Sequence, residues 1–144
     1  MKNQNNDKDQ IQKGVFCAVK KDGTVYYRAS LTRCGKHISL GSFSSARQAH
    51  DAYEQGCLLL SDPGLSLQDY QKTSPLSFEK WVCLVNLRDN GIYFGNPIYL
   101  GQQLFYYYLS PHHVLKFDME DLFYYSSHKI MRRGNHYFVA DYGI

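Results

Sequence analysis

Residues 14–60 read GVFCAVKKDGTVYYRASLTRCGKHISLGSFSSARQAHDAYEQGCLLL, and the fold is decided within this stretch. Two β-rich runs, GVFCAV and TVYYRASL, flank a KKDG segment. Asp-Gly between such runs specifies a hairpin, because glycine takes the positive φ that a tight turn needs. TRCGK supplies a second turn, and HISLGSF a third strand. Ser44 or Ser45 then caps a helix in which Ala49, Ala52, Tyr53, Gly56 and Leu60 recur at helical spacing. Asp62-Pro63-Gly64 ends it.

Strand side chains alternate between faces, so the strands divide into two sets. Ala29, Leu31, Ile38 and Leu40 form an inward set that packs on Ala49, Ala52 and Tyr53, the small alanines letting helix and sheet approach closely. Arg28, Ser30, Thr32, His37 and Ser39 form an outward set, joined by Phe16 and Ala18 of the first strand. The outward set is polar and basic. Lys13, Lys20, Lys21, Arg28, Arg33, Lys36 and Arg47 against Asp22 give residues 13–47 a charge of +6, although the whole chain carries only +3. Such a field suits a polyanion, or else a solvated surface.

Tyr27-Arg28-Ala29-Ser30-Leu31, Gly35-Lys36, Leu40-Gly41-Ser42-Phe43 and the Ala-x-x-Ala-Tyr helix core at 49–53 follow one another over about 50 residues. In this order they resemble the AP2-type DNA-binding domain, AP2/ERF-like and integrase-like. The resemblance implies a three-stranded sheet that enters the major groove of DNA. Carried over by position, it nominates Arg28, Ser30, Thr32, Lys36, His37 and Ser39 as groove-facing residues. Many members place arginines on the first strand, where this chain has Phe16 and Ala18. Lys20, Lys21 and Arg33 are then expected to contact phosphates. The same departure leaves open that the face has been reused for a protein partner.

The rest of the chain reads differently. Residues 1–12 are polar and are expected to be a disordered tail, 13–62 the DNA-binding domain, and 63–76 a linker with two prolines. Residues 77–144 form a second small α+β domain, opening with SFEKWVCLVNLRDNG, a helix capped by Ser77 or alternatively a strand. Residues 93–144 hold 14 of the 22 aromatic residues. GIYFGNPIYLG and QQLFYYYLSP are expected strands, with His112-His113 in a loop. Asp118 is expected to cap a helix running to about Met131, and HYFVADYG is a last strand after Gly134-Asn135. The fold class is therefore α+β: a three-stranded antiparallel sheet on one helix, plus a second aromatic-rich unit.

Phe117-Asp118-Met119-Glu120-Asp121, Ser126-Ser127-His128-Lys129 and Asn135-His136-Tyr137-Phe138-Val139 resemble the pre-catalytic segment of bacterial HNH/AP2 mobile-element endonucleases. Their HNH core follows that segment and needs a His base beside metal-binding His and Asn or Asp. The sequence reaches Ile144 without one, and its six histidines lack zinc-ligand spacing. No catalytic residue, no metal and no cofactor are expected. The tyrosines at 106–108 and 124–125 read either as a stacking surface for single-stranded nucleic acid or as core and interface. Cys17, Cys34, Cys57 and Cys83 form no CxxC pair and are expected to be reduced and mostly buried, or to make an intermolecular disulfide.

No apolar run reaches the roughly 18 residues of a membrane span, and residues 1–12 lack the apolar core of a signal peptide. A cytoplasmic protein is expected. The sequence supports a non-enzymatic DNA-binding protein of phage or mobile-element type, whose partner is double-stranded DNA or a nucleoprotein complex. The alternative is a phage-encoded inhibitor, anti-CRISPR-like, that binds a protein partner through its aromatic second half. A homodimer is open on either reading.

Overall fold

Residues 12–134 and 136–140 are described by a computed structural model of the protein. The tail expected over 1–12 lies outside them apart from Gln12, as do residues 141–143 of the last expected strand. The chain is α+β. Strands β1 (Val15–Val19), β2 (Val25–Arg33) and β3 (Lys36–Phe43) form an antiparallel sheet in sequence order.

Two turns of different chemistry set its register. In the first, Gly23 N–H donates to Lys20 O at 2.9 Å, and Lys20 N–H donates to Thr24 O at 2.8 Å. Gly23 has φ +93°, the left-handed residue that ends a three-residue loop of this kind. Thr24 N–H donates to Asp22 Oδ1 at 2.9 Å, and this bond holds the carboxyl below its usual range. In the second, Cys34 (φ +54°) and Gly35 (φ +79°) are both left-handed, as a two-residue hairpin loop of primed type requires.

Helix α1 (Ala46–Ser61) follows. Gln48 N–H donates to Ser45 Oγ at 3.1 Å, so Ser45 is the cap, while the Ser44 hydroxyl donates to the Gln48 side chain at 2.9 Å. Val15, Ala29, Leu31, Ile38, Leu40, Ala49 and Ala52 are buried, which places the core between sheet and helix. Gly14 lies so close to the Tyr53 ring that an added Cβ would fall 2.1 Å from it. After α1, residues 63–76, expected as a linker, carry a 3₁₀ turn over Leu67–Asp69 and a buried Leu76.

Helix α2 (Phe78–Asn90) takes the helical of the two readings of its segment. Lys80 N–H donates to Ser77 Oγ at 3.1 Å, and Gly91, at φ +79°, closes the other end. Trp81 through Asn86 are all buried. Strands β4 (Ile98–Leu100), β5 (Leu104–Ser110) and β6 (His113–Asp118) make a second antiparallel sheet. Ile98, Phe105, Tyr107 and Ile130 centre its core. Asn86 joins helix to sheet: its side-chain oxygen accepts Leu100 N–H at 2.9 Å, and its amide donates to Ile92 O at 3.0 Å. A 3₁₀ turn (Met119–Asp121), helix α3 (Leu122–Ser126) and the hairpin of β7 (Lys129–Arg133) and β8 (His136–Ala140) complete the order.

Four expectations are corrected. The helix expected from Asp118 to about Met131 stops at Ser126, and Lys129–Arg133 forms strand β7. The last turn of α3 has already spent its carbonyls: Ser126 Oγ donates to Phe123 O at 2.9 Å, and His128 Nδ1 and Ser127 Oγ both bond Tyr124 O. His113 opens strand β6 instead of lying in a loop, pairing with Ser110 of β5. The strands expected over 91–101 and 102–111 contract to β4 and β5. Among the cysteines only Cys83 is buried; all four are free, and Cys17 and Cys34 are exposed.

The described residues group into two compact units, one of residues 12–58 with 73–76, the other of 59–72 with 77–140. No helix among them is long and apolar enough to cross a membrane.

Candidate nucleic-acid interface

Cross-strand register fixes which side chains share the outer face of the first sheet. Phe16 on β1 pairs with Arg28 on β2, and Arg28 with Ser42 on β3, so these three form one row across the sheet. Ala18 with Tyr26 forms the row on one side, and Ser30 with Ser39, then Thr32 with His37, form the rows on the other. Arg28, Thr32, His37, Ser39 and Ser42 are exposed. Lys20 and Lys21 stand exposed at the β1–β2 turn, with Lys20 Nζ 5.7 Å from the centre of the Tyr26 ring. The nine residues of β2 span roughly 27 Å at the usual rise of ~3.3 Å per residue.

Three of the nominated positions behave differently from expectation. Ser30, expected to face outward beside Arg28, is only 7% exposed. Its N–H donates to Gly14 O at 2.9 Å, so the chain entering β1 runs alongside it, and a hydroxyl this short is covered at mid-strand. A bulge at the neighbouring step, where Ala29 pairs with Gly41 but Ser30 with Ser39, leaves Leu40 as the extra residue on β3. Arg33 and Lys36 are register partners at the other end of the sheet, with the parity of the buried Leu31 and Ile38. They root on the helix side, at the rim, rather than with Arg28.

Alternation placed Phe16 on this face, and the register adds Tyr26 to it. Phe16 is 51% exposed and Tyr26 half-buried, and both are roots of the outer surface. The nominated residues thus separate into a central group (Arg28, Thr32, His37, Ser39), a turn pair (Lys20, Lys21), a rim pair (Arg33, Lys36) and the covered Ser30.

The second unit resolves the tyrosine question in part. Tyr107 is buried and its hydroxyl accepts Ile130 N–H at 2.9 Å. Tyr125 stacks on Phe117 with ring centres 4.2 Å apart, both half-buried against the core. Phe123, at 86% exposure, and Tyr124 remain on the surface. His113 lies between Arg132, whose Nη1 is 2.9 Å from Nδ1, and the Tyr137 hydroxyl at Nε2. Among the described residues no group of three or more His, Cys, Asp or Glu could hold a metal ion.

Compared with family models, with curated proteins and with solved structures, the chain matches none of them.

Proposed function

We propose that this protein is a non-enzymatic, duplex-DNA-binding protein of phage or mobile-element type, acting in the cytoplasm and laying the outer face of β1–β3 in the major groove as an AP2-type domain would. One observation carries the reading. Arg28 stands exposed at the middle of a sheet face that no helix among the described residues of its own unit covers, with Lys20 and Lys21 at one end of that face. A guanidinium fork can take a guanine edge in the major groove or a phosphate. The lysines, like the rim cations Arg33 and Lys36, contact phosphates, and Thr32, His37 and Ser39 complete the groove-facing surface.

Titration of the full chain against random duplex tests it. Contacts to three to five phosphates would give log affinity against log salt a slope of about −2.7 to −4.5. Arg28→Ala should weaken binding by about 1–3 kcal/mol with an unchanged melt. Affinity that is absent at low salt, or flat as salt rises, would overturn the reading.

A second reading rests on the other unit. Phe123, Tyr124, Met131, Tyr137 and Phe138 are all exposed, an apolar set suited to a protein partner, as in a phage-encoded inhibitor. Loss of partner capture in Phe123→Ser, with DNA titration unaffected by Arg28→Ala, would favour it.

A further inference from the structure

The Phe16–Arg28 row gives the proposed DNA reading a base preference. We infer that this pair forms a two-part reader in which Arg28 takes a guanine and Phe16 covers the 5-methyl group of a thymine on an adjacent base pair. The inference rests on the DNA-binding reading above and deepens it.

Phe16 is a large apolar ring left half in water at the first strand of an otherwise polar face, and folding does not bury it. Its register partner is Arg28, so the two side chains start from directly opposed positions on neighbouring strands. Opposed Cβ atoms on one face lie roughly 4.5–5.5 Å apart. Stacked base pairs repeat every ~3.4 Å. Two long side chains rooted at that separation reach neighbouring steps of one groove without strain.

The chemistry of each tip then selects its target. In the major groove guanine offers O6 and N7 to a guanidinium, and the one apolar group on any natural base edge there is the thymine methyl. A ring that can neither donate nor accept a hydrogen bond gains nothing from the polar edges of guanine, adenine or cytosine, and desolvates them. Ala18, next outward on β1, is too short to compete for the same methyl, and Ser42 on the far side of Arg28 is polar. The basic groups at Lys20, Lys21 and Arg28 supply the charge complementarity that brings a duplex, rather than an apolar protein surface, to this ring.

Deoxyuridine, which differs from thymidine only by that methyl, provides the test. Sites enriched from random duplex by the full chain should contain thymine one step from guanine. Replacing that single thymine by deoxyuridine should weaken binding about fourfold, the value of one buried methyl-sized group at ~0.8 kcal/mol. In Phe16→Ala the two duplexes should bind alike, while the Arg28→Ala variant keeps the methyl discrimination on weaker overall binding. Methylating a cytosine placed at the same step should restore part of the affinity for wild type only. If wild type binds the selected duplex but ignores the methyl, the inference falls and the DNA reading stands. If wild type binds no duplex, both fall. Should Phe16→Ala not fold, the deoxyuridine comparison on wild type decides alone.

Discussion

At the scale of single residues, alternation along the strands located most of the face but not its depth. Arg28, Thr32, His37 and Ser39 are outward and exposed, as period-two reading of β2 and β3 requires. Ser30 obeys the same parity and is nevertheless covered, at a position whose N–H donates to the Gly14 carbonyl of the strand-entry segment. Such a contact is set by a neighbouring backbone and leaves no trace in local sequence. Gly14 itself is the clearest single-residue constraint. It has φ +81°, and the Tyr53 ring occupies the place of its missing Cβ. Gly23 has φ +93° with nothing within 4 Å of the equivalent position. Gly23→Ala therefore carries backbone strain of about 1–2 kcal/mol alone, whereas Gly14→Ala adds overpacking of about 1–3 kcal/mol. Thermal melts of the two variants should differ by several degrees, with Gly14→Ala the lower; equal melts would mean that Tyr53 moves aside without cost.

Elements were legible where turn chemistry and periodicity agreed. Asp22-Gly23 and Cys34-Gly35 marked both hairpin turns, and the 49–60 spacing marked α1. The same rules failed after Asp118, where a run of helix-compatible residues hid a hairpin. Ser126, Ser127 and His128 turn back onto the carbonyls of α3, and Lys129–Arg133 then satisfies its backbone by pairing with His136–Ala140. Strand pairing depends on the partner segment, and propensity along one segment does not report it. The joint between α2 and β4 is another such choice. Asn86 is fully buried and holds the Leu100 N–H and the Ile92 carbonyl, and its oxygen also takes the Asn90 amide at 2.7 Å. Asn86→Leu keeps the branching and the number of side-chain heavy atoms but strands those backbone groups, each at about 1–3 kcal/mol. Urea denaturation should show Asn86→Leu at least about 2 kcal/mol less stable than wild type, and Asn90→Leu, on the exposed end of the helix, far less affected. Equal losses would show that water replaces the Asn86 bonds.

For the whole molecule, the uneven charge was plain from the sequence, but the thiol and phenols whose burial couples folding to alkaline pH were not. Cys83 is the strongest case. Enclosed in α2, with its Sγ 3.3 Å from Asn96 O, it is pushed by burial up to about 12 from an ordinary value near 9. Between those values the unfolded chain gives up the thiol proton while the folded chain keeps it. The folded state then binds more protons, so stability falls as pH rises, by about 1.4 kcal/mol per pH unit. Burial also raises Tyr99 and Tyr108, which add losses of the same sign above roughly pH 10. Cys83→Ala removes only the thiol contribution. Under reducing conditions, the stability difference between wild type and Cys83→Ala, followed by urea denaturation, should be constant below about pH 8. Above about pH 9 it should shift against wild type by about 1.4 kcal/mol per unit. Parallel curves for wild type and Cys83→Ala would show that the alkaline loss comes from the tyrosines alone.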